Sequence, residues 1–150
     1  MTNNEIISYV KEHPSGKVKI AFTDIDGILR GKYISSEKFL SIADSNSSFC
    51  NVIFGWDSAD VAYDNVEYTG WHTGYPDSPA RIDLSTFRKI PWENDVPFFL
   101  GEMIEANGNP SHICPRQLLK KVLKDANESG YMPYFSQEFE WYNFAETPQS

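Results

Sequence analysis

Cysteine is nearly absent from this sequence. Cys50 and Cys114 are the two in 150 residues, far apart and without CxxC spacing, and the single histidine near either of them, His112, makes no ligand-spaced set. That excludes a disulfide framework and a cysteine-based zinc site, and leaves two buried thiols in a reducing compartment as the reading. Long apolar runs are missing as well. No stretch approaches the roughly 20 residues that a membrane-spanning helix needs, and Met1–Glu5 has no basic segment leading into an apolar one, so neither a membrane partner nor a signal peptide is expected. Positive charge is scarce: 13 Lys and Arg stand against 21 Asp and Glu, a formal net charge of -8. A nucleic-acid surface needs a clustered basic face to neutralise phosphates, so nucleic acid is not expected as a partner either. What is present is apolar substance, 41% hydrophobic and 15% aromatic, enough for a packed core. The length allows one domain, or one domain plus a fragment. Together these features predict a soluble, cytoplasmic protein.

The order of elements predicts an α+β fold. Thr2-Asn-Asn-Glu5 fits a capping box, with Ile6, Ile7 and Val10 following at helical spacing and Pro14-Ser15-Gly16 ending the helix. The period then changes to two: Val18, Ile20 and Phe22 alternate with Lys17, Lys19, Ala21 and Thr23, the pattern of a half-buried strand. Asp26-Gly27 is a hairpin signal, and Leu29 to Ile34 reads as the returning strand. Ser35 or Ser36 caps a short helix carrying Phe39, Leu40 and Ala43. Beyond a polar link at 45–49, Asn51 to Gly55 reads as a short strand, and 64–79 as a long Gly/Asp/Tyr/Pro-rich loop. Short strands are predicted over 81–84 and 88–90, and a clearer one over 96–104 whose Pro97 places its start at a sheet edge. After a turn at 107–110, Pro115 opens a helix with Leu118, Leu119, Val122, Leu123 and Ala126 on one face, stopped by Gly130. Tyr131 to Phe144 reads as a last strand.

Two stretches carry the chemistry. The first is Asp24-Ile25-Asp26-Gly27, at the end of an apolar strand. It resembles the nucleophile loop of haloacid-dehalogenase-type phosphatases, in which Asp24 would attack phosphate and Asp26 act as acid and base. That family's motif wants Thr or Val after the glycine, where this sequence has Ile28, and a βα crossover, where Arg30-Gly-Lys-Tyr33 continues as a strand. The competing reading makes both aspartates shapers of a hairpin turn. The second stretch is Gln137-Glu-Phe-Glu-Trp-Tyr142. On a strand Glu138 and Glu140 share one face, with carboxylates roughly 6–7 Å apart. Each could then ligate its own hard divalent cation, the pair clamping one phosphate. A solvated strand face produces the same alternation. Arg30 and Lys32 read as charges protecting a sheet edge, and His13, His72 and His112 are scattered loop residues without ligand spacing.

The chain resembles the N-terminal part of glutamine synthetases and their relatives over nearly its whole length. Phe22-Thr-Asp-Ile-Asp-Gly-Ile-Leu-Arg-Gly-Lys-Tyr33 is similar to the family's opening hairpin, "ftDlnGvlRGK"; Phe54-Gly-Trp-Asp-Ser-Ala-Asp60 lies where its latch loop belongs. Tyr75-Pro-Asp77 through Thr86-Phe-Arg-Lys-Ile-Pro-Trp92 resembles its "PD…Tf…iPW" segment. Cys114-Pro-Arg-Gln-Leu-Leu-Lys-Lys-Val-Leu123 resembles its "PR..L…l" helix, and Glu138-Phe-Glu140 its "E-x-EF" strand.

The resemblance implies a β-grasp domain, a ubiquitin-like mixed sheet with a crossing helix, over 1–110. It implies the first helix and strand of an incomplete catalytic domain over 111–150. It implies an ATP-dependent ligase that joins the γ-carboxylate of glutamate to ammonia or an amine through γ-glutamyl phosphate. Glu138 and Glu140 would ligate Mg2+ or Mn2+, and Asp57 would be the latch aspartate that binds and deprotonates the amine. Partners would be glutamate, the amine, and further copies in a ring-type homo-oligomer with active sites between subunits. The fragment by itself is expected to be inactive. Ammonia-using members carry Asp-Gly-Ser-Ser where this chain has Asp57-Ser-Ala-Asp60, a departure that points toward larger amines. The competing reading of Asp57 is a loop carboxylate that caps backbone N–H groups. A non-catalytic assembly module of the same family is the alternative function.

Overall fold

A buried stripe on the first strand sets the architecture. The computed structural model describes residues 1–147. Helix α1 (Asn3–Glu12) opens with the capping box: Thr2 N–H donates to Glu5 Oε2 at 2.6 Å, and Glu5 N–H to Thr2 Oγ1 at 3.3 Å. Strand β1 (Lys17–Thr23) follows, and β2 (Leu29–Ser35) returns antiparallel with Thr23 opposite Leu29, as the Asp-Gly turn predicts. Ser35 Oγ accepts from Lys38 N–H at 3.1 Å to cap α2 (Ser36–Ile42). Strands β3 (Ser47–Cys50), β4 (Asp77–Ile90) and β5 (Val96–Met103) and helix α3 (Pro115–Glu128) complete the regular elements. No helix among the described residues is long and apolar enough to cross a membrane.

The sheet runs β2-β1-β5-β4-β3, with β1 and β5 parallel at its centre and the other pairs antiparallel. This is the β-grasp arrangement. Val18, Ile20 and Phe22 of β1, Ala80, Ile82 and Leu84 of β4, and Phe99 and Met103 of β5 face a single core with Ile6 and Val10 of α1 and Phe39 and Ile42 of α2. Phe39 stacks on Phe99 with ring centroids 4.6 Å apart. The opposite face of the sheet carries a smaller apolar cluster of Ala21, Ile90 and Phe98. Gly101 on β5 is required by close approach: a Cβ there would lie 2.3 Å from the Phe22 ring.

Several local expectations give way to tertiary pairing. Asn51–Phe54 forms a 3-10 helix, not a strand, because Asn51 is committed elsewhere: its N–H donates to Pro76 O and its Oδ1 accepts from Thr69 at 2.5 Å. The strand lies just before it, in the polar link, where Ser47–Cys50 pairs with Asp77–Ala80. The two short strands over 81–90 are one strand, β4, with a register shift between Asp83 and Arg88. There Thr86 Oγ1 donates to Asp83 O and accepts from Leu100 N–H, standing in for the interrupted ladder. β5 is central, but its first residues, Val96 and Pro97, pair with β4 alone, so its start is at an edge as Pro97 suggests. Pro97 is tolerated because the β1 ladder begins only at Phe98. Residues 131–147 hold no regular secondary structure and are exposed, so the strand expected over 131–144 does not form; a strand needs neighbours to take its hydrogen bonds.

Helix α3 sits on the sheet in an unexpected way. Leu118, Leu119 and Val122, from the apolar face read in the sequence, are 59%, 50% and 52% exposed. The helix is held instead by charge. Arg116 and Lys120 reach Asp83 at 2.6 and 2.8 Å, Lys120 also reaches Glu102 at 2.6 Å, and Arg81 joins Glu102 at 2.8 Å. Glu102 is buried on the central strand, so without these partners its charge would be strongly unfavourable. Burial alone would push the Asp83 carboxyl up; hydrogen bonds from Lys120, Ser85 and Arg116 outweigh it and hold the group well below the ordinary carboxylate range. In Glu102 burial is likewise overcome, by Lys120 and Arg81, and the shift is downward.

Two predictions follow from this packing. Gly101→Ala should destabilise the fold by about 1–3 kcal/mol through overpacking, read by urea denaturation, and a Phe22→Leu background should recover part of the loss. Because Asp83 and Glu102 titrate lower folded than unfolded, their contribution is present above the unfolded values near pH 4 and is lost as pH falls through the folded ones. Stability attributable to this cluster should therefore be flat from about pH 5 to 8 and decline below about pH 4, and Asp83→Asn should flatten that acid limb in a pH series of denaturation midpoints.

Candidate functional site

The hairpin and the 56–62 loop meet around one guanidinium. Asp24 directly follows β1 with its side chain fully buried. Its Oδ1 accepts from the N–H groups of Asp26 (2.9 Å) and Ile28 (2.8 Å), and its Oδ2 from Arg30 Nε at 2.7 Å. Asp24 N–H donates to Ile28 O, and Gly27 takes the left-handed conformation at φ +81°. Oδ1 serves the turn and Oδ2 holds the Arg30 guanidinium, so both carboxylate oxygens are engaged. Asp24 is therefore closed to attack on a phosphate, and the chain returns as β2 without a crossover helix, so the phosphatase arrangement is not formed.

Arg30 carries more than edge protection, the role its sequence pattern suggests. Its side chain is 15% exposed. Besides Asp24, Nη2 donates to Asp57 O at 2.9 Å, Nη1 pairs with the Asp60 carboxylate, and the guanidinium lies 5.2 Å from the centre of the Trp56 ring. The loop is otherwise closed on itself. Asp57 Oδ1 accepts from Ala59 N–H (2.8 Å) and Val61 N–H (2.9 Å), Asp57 N–H donates to Val61 O, and Trp56 bridges to Ala62. This is the capping role of a loop aspartate. It employs one carboxylate oxygen; among the described residues Oδ2 accepts no hydrogen bond, which leaves it available to a donor from outside.

Glu138 and Glu140 lie apart from this arrangement, in the exposed segment after α3. The Tyr142 hydroxyl donates to Glu140, which raises the phenol's pKa. No hydrogen bond or ion pair joins either glutamate to the Arg30 loop, and among the described residues no three His, Cys, Asp or Glu side chains gather as a metal site. The donor chemistry nonetheless suits a hard cation: two carboxylates, oxygen ligands of the type Mg2+ and Mn2+ prefer. The histidines stay outside any cluster of ligands: His13 bonds Ser15 and Asn94 O, His72 bonds Glu67 O, and His112 lies 3.5 Å from Glu105. Sequence reasoning missed Asp60. Its signal, an acid three residues after Asp57, has meaning only once the loop is folded against β2.

No family model matches the chain. Over 145 residues, 97% of its length, it is 57% identical to type-1 glutamine synthetase 2 of Dictyostelium discoideum, of which it covers 28%. Over 139 residues it is 37% identical to a glutamate–isopropylamine ligase of a Pseudomonas species, of which it covers 30%. The chain thus spans less than a third of the length of the curated relatives it matches. Among solved structures, Plasmodium falciparum glutamine synthetase superposes on 87% of the chain with a TM-score of 0.61 at 18% identity, the chain covering 23% of it, which is agreement in fold. The β-grasp sheet agrees with the solved structure in fold, and the curated relatives, a glutamine synthetase and a glutamate–amine ligase, are members of the glutamine synthetase family whose N-terminal part this chain matches.

Proposed function

We propose that this chain is the N-terminal portion of a glutamine synthetase-like carbon–nitrogen ligase, which uses ATP to join the γ-carboxylate of glutamate to ammonia or an amine by way of γ-glutamyl phosphate. The observation that carries this reading is the 57% identity to a protein named a glutamine synthetase across 97% of the chain. The second relative, by its name, ligates glutamate to isopropylamine. Together with Asp57-Ser-Ala-Asp60 in place of Asp-Gly-Ser-Ser, it supports an amine larger than ammonia as the second substrate.

In this reading residues 1–110 are a β-grasp domain and 111–150 the beginning of the catalytic domain. Asp57 serves as the group that binds an ammonium N–H through Oδ2 and takes its proton, while Oδ1 stays engaged with the loop backbone. Glu138 and Glu140 would hold Mg2+ or Mn2+, whose bound charge offsets the repulsion between the triphosphate and the glutamate carboxylate. Their place within two residues of one another lets both carboxylates address one site once the segment is extended. The exposed Trp71, in edge contact with Tyr75, supports an interface with another copy, in keeping with an oligomer that shares its active sites between subunits.

The reading is tested on the longer protein that contains this chain, by ATP- and glutamate-dependent phosphate release with ammonia, isopropylamine and ethanolamine as acceptors. Turnover with at least one acceptor is expected, and Glu138→Ala or Glu140→Ala should lower it by at least on the order of 100-fold. The 150-residue chain alone should release no phosphate above a Glu138→Ala control. Full-length protein that folds, yet turns over none of the acceptors, would make this a non-catalytic member.

A further inference from the structure

We infer that Arg30 is the positioning residue of the 56–62 loop, fixing the Asp57 carboxylate relative to the β1–β2 hairpin. The inference deepens the proposed role of Asp57 in amine binding and rests on that reading. Three observations carry it. Arg30 supplies all the hydrogen bonds and the ion pair that, among the described residues, tie 56–62 to the hairpin: Nη2 to Asp57 O at 2.9 Å and Nη1 to Asp60. The same guanidinium is anchored at its other edge, since Nε donates at 2.7 Å to Asp24, which is itself immobilised by two backbone N–H groups. Finally, the loop adopts a conformation it would not choose unaided. Asp60 has φ +64°, the left-handed region, which for a non-glycine residue costs on the order of 1 kcal/mol and persists where the surroundings enforce it.

The chemistry explains why arginine is needed. Its planar fork addresses three acceptors in fixed directions: the Asp24 carboxylate, the Asp57 carbonyl and the Asp60 carboxylate. A lysine ammonium on the same strand position could retain the charge beside Asp24, but its three donors sit on one compact nitrogen and could not span the carbonyl and both acids together. Holding the carbonyl of Asp57 fixes its Cα, and with Oδ1 bound to Ala59 and Val61 N–H the remaining freedom of the side chain is removed. Oδ2 is thereby aimed before any amine arrives, which is the preorganisation a binding group for a small cation requires. Arg30 touches no reacting atom; it acts through Asp57.

Amide hydrogen exchange by NMR on the 150-residue chain tests this without requiring turnover. In Arg30→Lys, protection of the Ala59 and Val61 amides should fall by on the order of 10–100-fold, while Asp26 and Ile28, bonded to Asp24, and the β1–β5 amides keep theirs. Asp60→Asn should give a smaller loss at the same two amides. Unchanged protection at Ala59 and Val61 in Arg30→Lys would overturn the inference, and so would a uniform loss across the sheet, which would make Arg30 a stability residue only. In the longer ligase the positioning role predicts a raised KM for the amine with KM for ATP and glutamate unchanged. If Asp57→Ala leaves the amine KM unaltered while Arg30→Lys still releases Ala59 and Val61, the amine-binding reading of Asp57 fails and the positioning of the loop stands.

Discussion

A charged carboxylate with no access to water is the constraint on which this part of the molecule turns. Asp24 is fully buried, and an uncompensated charge in that position would cost several kcal/mol. Two turn N–H groups and one guanidinium compensate it. Each compensating group then imposes its own demand. The N–H groups require the tight turn with Gly27 left-handed; the guanidinium, brought inward, has two nitrogens left over and collects Asp57 and Asp60. A hairpin and a loop some thirty residues later in the chain are joined because a single ion pair had to be satisfied.

The two parts of the chain differ in how they are held. From α1 to β5 the cohesion is apolar, with Phe39 on Phe99 and the β1 stripe between the helices and the sheet. At α3 the balance reverses, and a helix with leucines turned outward is docked through Arg116 and Lys120. Directional ion pairs fix the helix at one orientation, whereas apolar contact alone would tolerate sliding. The aromatic side chains that follow, from Tyr131 to Phe144, are exposed. Such a surface suits a continuing fold or an interface better than it suits open water.

Much of the fold was legible because its signals are local. The Thr2–Glu5 capping box, the period-two stripe of β1, the Asp-Gly turn and the Ser35 cap each depend on a few neighbouring residues, and all are present. What failed depends on partners distant in sequence. β3 is the short segment Ser47-Ser-Phe-Cys50, too brief and polar to announce a strand, which pairs because β4 lies beside it, and β4 runs through a region whose middle reads as a break because Thr86 repairs the ladder with its side chain. The apolar stripe of α3 correctly announced a helix, but which face docks was decided by acids on β4 and β5, which engage Arg116 and Lys120 in place of the leucines. Around the 56–62 loop, the order of the motifs drew attention to Asp57 as a candidate, and its capping of Ala59 and Val61 is a local signal; that Arg30 holds the loop was not legible, because nothing in the spacing of Asp24, Arg30 and Asp60 brings the third to the other two.

The parallel pairing of β1 with β5 also has a consequence in time. Lys19 lies beside Phe98, Ile20 beside Phe99 and Ala21 beside Leu100. During synthesis at about 5–20 residues per second, β5 follows β1 out of the ribosome by on the order of 4–16 s. The β1–β2 hairpin closes on itself within microseconds, but its inner edge, the one that becomes the middle of the sheet, has no partner for all of that interval. Its guard is the polar half of its own alternation: Lys17 and Lys19 stand along the strand that waits, charges that discourage pairing with a stranger while leaving the native neighbour room to arrive.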